Sequence, residues 1–315
     1  MKVVYITGCL GFIGSYVTSL CLERGWFVKG IDKITYAANA SMLDKFKVHK
    51  NFFFEQKDIN DLKYLSDCDY IINCAAETHV DNSIIKSDDF VHSNICGVHN
   101  LLELIRKNNH FKMPTLLHFS TDEVYGDTPN EAHKETEILK PSNPYSATKA
   151  SADMLILAWA RTYSVPYIIV RPSNNYGIGQ YVEKLIPKAC KFLTLNRKIP
   201  IHEGGSPKRI WLHAKDTATA IMTIIDKNCE NDIFNISGDF EQSNLETVTK
   251  IIELYFGKKI PDVSAFLDLK YKRPGHDFRY LIDDSKIRSL GWHPTHDFDK
   301  ELPLIVEYYK NNFIW

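Results

Sequence analysis

The chain has 315 residues, of which 44% are hydrophobic and 24% charged, and a formal net charge of -1 at pH 7. That composition can bury an ample core, excludes a disordered or collagen-like chain, and argues against nucleic acid or an anionic membrane surface as a partner. Seven scattered cysteines without a C-x-x-C pair fit a reducing, cytoplasmic setting rather than a disulfide framework.

Residues 2–7 enter directly into a strand-like apolar run, which leaves no room for a signal peptide, and no apolar run is long enough to span a membrane. Helical spacing follows over 12–24 and stops at Gly25. Strands are expected at 26–31 (ending at Asp32), 52–54 (followed by Asp58) and 70–74 (leading into Ala75-Ala76). Residues 81–107 read as one long helix, 115–119 as a strand, 146–163 as a helix and 167–170 as a strand. This alternation predicts an α/β fold with a doubly wound, parallel Rossmann sheet. After Arg171-Pro172 the elements shorten, with helices expected at 214–226, 245–255 and 300–310 and a strand at 233–236. The second half therefore reads as a smaller lobe, with some elements returning to the sheet. Among the histidines only His293 and His296 are close, with Pro294 between them in a turn-like segment, and no metal is expected.

Gly8-Cys9-Leu10-Gly11-Phe12-Ile13-Gly14 lies between the first strand and the first helix. Glycines there allow a tight turn, close approach of the backbone to a pyrophosphate, and close helix–strand packing, with the helix N-terminus facing the phosphates. Asp32, at the end of the second strand, can accept hydrogen bonds from ribose hydroxyls and repel a 2′-phosphate, which favours NAD over NADP. Asp58, Ala75 and Ala76 also suit a dinucleotide lying against the strand ends.

Tyr145 and Lys149 share one face of a helix start, where the Lys charge is expected to lower the phenol pKa. A second Tyr-x-x-x-Lys at Tyr255 and Lys259 contains Gly257, which breaks the helix such a pair needs. Ser120 or Thr121 would hold a substrate hydroxyl. The adjacent Asp122 and Glu123 exceed what simple alcohol oxidation requires. They imply an acid for a leaving hydroxyl and a base for a carbon-bound proton.

Several motifs carry a resemblance. They are T-G-x-x-G-F-I-G at 7–14, D-K-x-T-Y at 32–36, A-A-E-T-H-V-D at 75–81, S-T-D-E-V-Y-G at 120–126, P-Y-S-A-T-K-A at 144–150, S-N-N-Y-G at 173–177, E-K-L-I-P at 183–187 and R-P-G-H-D at 273–277. Together the chain resembles the extended short-chain dehydrogenase/reductases, and among them the nucleotide-sugar 4,6-dehydratases acting on dTDP-glucose or UDP-glucose. The resemblance implies that Tyr145, with Lys149, takes the proton of the sugar 4-hydroxyl while hydride passes from carbon 4 to NAD. Glu123 then removes the proton from carbon 5, Asp122 protonates the departing 6-hydroxyl, hydride returns to carbon 6, and Thr121 holds the 4-oxygen.

It further implies NAD contacts from Gly8, Gly11, Phe12, Ile13, Gly14, Asp32, Lys33, Thr35, Asp58, Ile59, Ala75, Ala76, Thr78, Tyr145 and Lys149. Substrate contacts would come from Thr121, Asn175, Glu183, Lys184, Leu185, Arg209, Asn244, Arg273 and His276, with Arg209 and Arg273 on the diphosphate. Tyr308 or Tyr309 would also approach the substrate. Residues 1–172, joined by 213–237, would form the NAD domain. Residues 173–212 and 238–315 would form the nucleotide-sugar lobe. The 4-keto-6-deoxy product would feed rhamnose-type deoxysugar synthesis.

Two departures from the family pattern flank the nucleotide pocket. Arg209-Ile210-Trp211 replaces R-D-W, and the loop 176–184 lacks two prolines. They leave thymine against uracil open. The rivals are a 4-epimerase or decarboxylase on the same scaffold, or a non-catalytic NAD-binding protein. The helices at 81–107 and 146–163 are expected to pair across a two-fold axis in a homodimer.

Overall fold

The structure, a computed structural model, describes residues 1–107, 112–128 and 130–312. Seven strands form one parallel sheet: β1 (Val3–Thr7), β2 (Phe27–Asp32), β3 (Phe52–Gln56), β4 (Tyr70–Asn73), β5 (Thr115–Phe119), β6 (Tyr167–Pro172) and, late in the chain, β10 (Asp232–Ile236). Their spatial order runs from Asp232–Ile236 through β6, β5, β4, β1 and β2 to β3. The connection order reverses between β1 and β4, which opens the crevice where such sheets bind ligands.

Alternation along the strands explains the two apolar layers. Val4, Ile6, Ile72 and Leu117 face Val17, Cys21 and Ile221 of helices Phe12–Glu23 and Ala214–Asp226. Tyr5, Ile71 and Leu116 face Val98, Leu101, Ala152 and Ile156 of helices Gly97–Lys107 and Pro144–Tyr163. Neither face meets water, so the strands read as continuous apolar runs.

A second core gathers helices Leu185–Thr194, Asn244–Phe256 and Phe298–Asn311 around Tyr176, Trp211 and Ile199. It carries two small sheets, one built from β7 (Asn174–Tyr176), β9 (Lys208–His213) and β11 (Phe240–Ser243), the other from β8 (Ile199–His202) and β12 (Leu267–Tyr271). Gly257 takes the left-handed conformation and ends helix Asn244–Phe256, so Tyr255 and Lys259 share no helix.

The single helix expected over 81–107 is corrected. The structure holds a short helix Val80–Ile85, an extended Lys86, a turn Asp88–Phe90, a π-helical turn Val91–Cys96 and then Gly97–Lys107. Ser87-Asp88-Asp89 favours a helix start over a helix interior, which the apolar periodicity alone does not register. The break matters for the cleft, because it brings Ser83 to the backbone N–H of Tyr145 at 3.2 Å. The π turn also sends Ser93 and Asn94 inward. Among the described residues no helix is long and apolar enough to cross a membrane.

Candidate active site

Two adjoining clefts open at the C-terminal ends of the sheet strands. They share Thr78, Glu123, Asn174, Asn175, Gln180, Glu183 and Lys184.

The first cleft contains a cradle of glycine main chain. Gly8 has φ +66°, and a Cβ there would lie 2.7 Å from the Ala75 nitrogen. A Cβ on Gly14 would overlap the Gly8 carbonyl. These positions keep a cradle open that any side chain would fill. Buried Asp32 accepts from the N–H groups of Leu10 (3.0 Å) and Ile34 (2.8 Å), and desolvation pushes its carboxyl up from the ordinary value. An acid at this strand end beside a glycine cradle fits the ribose and pyrophosphate of NAD. Every residue assigned above to NAD lines this cleft except Lys149.

The reacting groups stand where the clefts meet. Strand β5 ends at Phe119, and a single 3-10 turn Asp122–Tyr125 follows, with the Thr121 hydroxyl accepting from the Glu123 N–H at 3.3 Å. This turn aims both acids at the first cleft. Asn143 and Ser146 form a capping box that starts helix Pro144–Tyr163 and places Tyr145 in its first turn. Tyr145 lies beside Thr121 and within the field of Glu123 and Asp122. Asp122 is 3% exposed, and among the described residues its Oδ2 has no hydrogen-bond partner. Burial first, then the Glu123 charge, raises its carboxyl to about 7. Desolvation also raises Glu123, while Arg209, Lys184 and Arg273 pull it back. Two neighbouring acids thus sit in different environments, as separate acid and base roles require.

One expectation is overturned. Lys149 does not lower the Tyr145 phenol: burial and the Glu123 charge raise that phenol above its usual value. The Lys149 amine lies behind the cleft wall, donating to the Phe119 carbonyl at 2.5 Å, and burial lowers it to about 8. Ser120 is committed elsewhere, donating to Asp153 Oδ2 at 3.0 Å beside the buried Arg171–Asp153 pair. Thr121 therefore remains as the hydroxyl facing the cleft.

The second cleft is walled by side chains. Asn175, Glu183, Lys184, Leu185, Arg209, Asn244, Arg273 and His276 all line it. The Arg209 guanidinium lies 4.6 Å above the Tyr280 ring and donates to the carbonyl of Asp277 at 3.1 Å. Arg273 pairs with Asp81 at 2.5 Å, and after opposition from burial the His202 and Arg273 contacts hold the Asp81 carboxyl far below the usual range. Among the described residues His276 has no hydrogen-bond partner on either ring nitrogen, and burial followed by the Arg209 charge lowers it to about 3. Four cationic side chains (Lys184, Lys188, Arg209 and Arg273) in one cleft suit a diphosphate.

Tyr308 and Tyr309 do not line either cleft. Tyr309 is buried in the second core and donates to the Gln180 carbonyl at 2.6 Å, which steadies the loop rather than a ligand. The sequence reading missed Tyr280, which donates to Asp277 at 2.7 Å and reaches Glu123 at 3.4 Å, and also His79, Lys188 and His202. Only the i, i+3 spacing of Asp277 and Tyr280 beyond R-P-G-H-D could have signalled the first.

Residues 5–303 match the family model described as GDP-mannose 4,6 dehydratase. A dTDP-glucose 4,6-dehydratase of Haemophilus influenzae is 38% identical, covering 99% of each chain. An Arabidopsis thaliana trifunctional protein, named in part for UDP-glucose 4,6-dehydratase, is 36% identical over 100% of this chain and 48% of its own length. The crystal structure of Bacillus anthracis dTDP-glucose 4,6-dehydratase in complex with NAD superposes with a TM-score of 0.87 at 32% identity, covering 100% of this chain and 98% of the other.

Proposed function

The chain belongs to the nucleotide-sugar 4,6-dehydratase family of the extended short-chain dehydrogenase/reductases, and from that premise we propose which of its residues carry each step. It is an NAD-dependent enzyme that dehydrates a nucleoside-diphosphate-glucose to the 4-keto-6-deoxy sugar. NAD, when bound, supplies the hydride acceptor for oxidation at carbon 4 and the donor for reduction at carbon 6. Thr121 holds the 4-oxygen, and Tyr145 takes the 4-hydroxyl proton. The 4-ketone acidifies the hydrogen on carbon 5, which Glu123 removes, and a proton returns from Glu123 to carbon 5 when hydride enters carbon 6. Asp122, half protonated near pH 7, gives its proton to the departing 6-hydroxyl, so one water leaves per turnover. Arg209 and Arg273 hold the diphosphate, with Lys184, Asn175, Asn244 and His276 around the sugar and base. We assign the cofactor to residues 1–172 with 213–237, and the nucleotide sugar to 173–212 with 238–315.

The observation that carries this reading is the convergence of Thr121, Asp122, Glu123 and Tyr145 on one wall where the two clefts meet. A 4-epimerase needs no acid poised for a leaving hydroxyl, which makes the raised Asp122 the distinguishing feature. The nucleobase is tested by comparing 4-keto product formation from dTDP-glucose and UDP-glucose in separate incubations. No 4-keto product from either would overturn the reading.

A homodimer is supported by exposed apolar side chains on neighbouring elements: Val91 (43%), Met154 (49%) and Tyr163 (41%). Sedimentation as a monomer alone at micromolar concentration would contradict it. A cytoplasmic setting is supported by seven free cysteines.

A further inference from the structure

We propose that the contact between Tyr36 and Glu183 is a latch that holds the loop 177–184 across the first cleft and keeps NAD on the enzyme while nucleotide sugars exchange through the second. The proposal rests on the dehydratase reading above, in which each turnover regenerates NAD and none has to leave. The Tyr36 hydroxyl donates to Glu183 Oε2 at 3.1 Å and accepts from the Asn82 side-chain amide at 3.3 Å. Its one hydrogen and its oxygen are thus both engaged. The Tyr36 ring meets the Tyr181 ring edge-on, with centroids 5.3 Å apart. Burial, then the Glu183 charge, raises the phenol above its ordinary value, so it remains a donor at neutral pH.

The two ends of this contact belong to two rims of one cleft. Tyr36 lies in the loop after β2, where its neighbours Thr35, Ala37 and Ala38 line the first cleft. Gln180, Tyr181, Glu183 and Lys184 line the same cleft from the loop 177–184. At its start that loop rests on the helix leaving the glycine cradle, where the Tyr16 hydroxyl donates to the Ile178 carbonyl at 2.8 Å. At its end Lys184 donates to the Thr78 carbonyl at 2.8 Å. Backbone stiffness does not fix the stretch between those points. It contains no proline, and Gly177 and Gly179 take φ of +147° and +93°. Closure therefore depends on side-chain ties. Tyr36 is 49% exposed, so this tie can open without disturbing either core. The second cleft is organised separately, with Arg209 on the Asp277 carbonyl and Arg273 on Asp81, and can fill and empty while the latch is shut.

The test uses the NAD-loaded, full-length enzyme and follows exchange of bound NAD for isotopically labelled NAD, with no sugar nucleotide present. Tyr36→Phe keeps the ring against Tyr181 and loses only the hydroxyl. It is expected to exchange about 5- to 10-fold faster than wild type. Tyr36→Ala loses both contacts and is expected to exchange about 30-fold faster. Its turnover of the nucleotide-glucose also comes to depend on added NAD, whereas that of the wild type does not. Exchange at the wild-type rate in Tyr36→Ala overturns the proposal; if that variant does not fold, an unchanged Tyr36→Phe overturns it. A higher KM for the nucleotide-glucose with unchanged NAD exchange also overturns it, because Tyr36 would then hold Glu183 for the sugar. So does a wild type that loses its NAD on gel filtration. A wild type inactive on both nucleotide-glucoses, with the exchange rates shifted as expected, would instead fail the dehydratase reading and leave the latch standing.

Discussion

In the cleft beneath β1, the ligand-facing surface includes a cradle of glycine and alanine (Gly8, Gly11, Gly14, Ala75 and Ala76) with Asp32 beside it. In the adjoining cleft it is long charged side chains drawn from β8, β9 and the 273–280 segment. The first is formed by local chain geometry, in which a methyl group at Gly14 has no room. The second is an assembly of ion pairs and stacked rings, such as Arg273 on Asp81 and Arg209 over Tyr280, that can rearrange by rotamer. Recognition by backbone tolerates almost no substitution, whereas recognition by side chain degrades in steps.

That contrast can be broken at either end. Gly14→Val places carbon where the Gly8 carbonyl sits, and the variant is expected to lose NAD entirely, read as absence of nucleotide in the purified protein. Retained NAD would mean that the cradle is softer than the geometry implies. Glu123→Gln keeps the cleft's shape and should lower turnover about 10³-fold while leaving NAD bound, measured by product formation against cofactor content.

Asp122→Asn should lower turnover about 100-fold and also stabilise the fold at alkaline pH. The sign follows from the raised carboxyl: its folded value of about 7 exceeds its unfolded value of 3.8. The buried charge costs nothing below the unfolded value, and its full cost is present above about pH 7. The shift bounds the gain near 4 kcal/mol, and about 2 kcal/mol at pH 8 with none at pH 4 is the expected outcome of urea unfolding. Equal stability of the two proteins at pH 8 would contradict the burial argument. In the second cleft, Arg273→Ala should raise KM about 10- to 100-fold with a smaller change in kcat. A KM effect as total as that of Gly14→Val would erase the distinction between the clefts.

The same contrast explains what was legible in the sequence. The parallel sheet, the glycine turn, Asp32 and the acids after β5 each sit within a few residues of a strand end, where spacing carries the signal. The capping box at Asn143 likewise marks where Tyr145 enters its helix. The break at Lys86 was hidden because apolar spacing persists through 81–107 while Ser87-Asp88-Asp89 restarts the helix. His202 and Lys188 carry no local pattern, since pairing across the fold brings them to the cleft. The direction of the Tyr145 shift was missed for a related reason. Proximity along a helix says nothing of burial, and burial followed by the Glu123 charge raises the phenol there.

The central claim is that Glu123 takes the carbon-5 proton of a hexose whose 4-hydroxyl meets Tyr145. The most direct test runs wild type and Glu123→Gln in D2O with the preferred nucleotide-glucose and reads deuterium at carbon 5 by NMR. The account predicts full deuteration of the wild-type product, and neither product nor carbon-5 exchange in the variant. Deuterium entering carbon 5 at the wild-type rate without the carboxylate would contradict it.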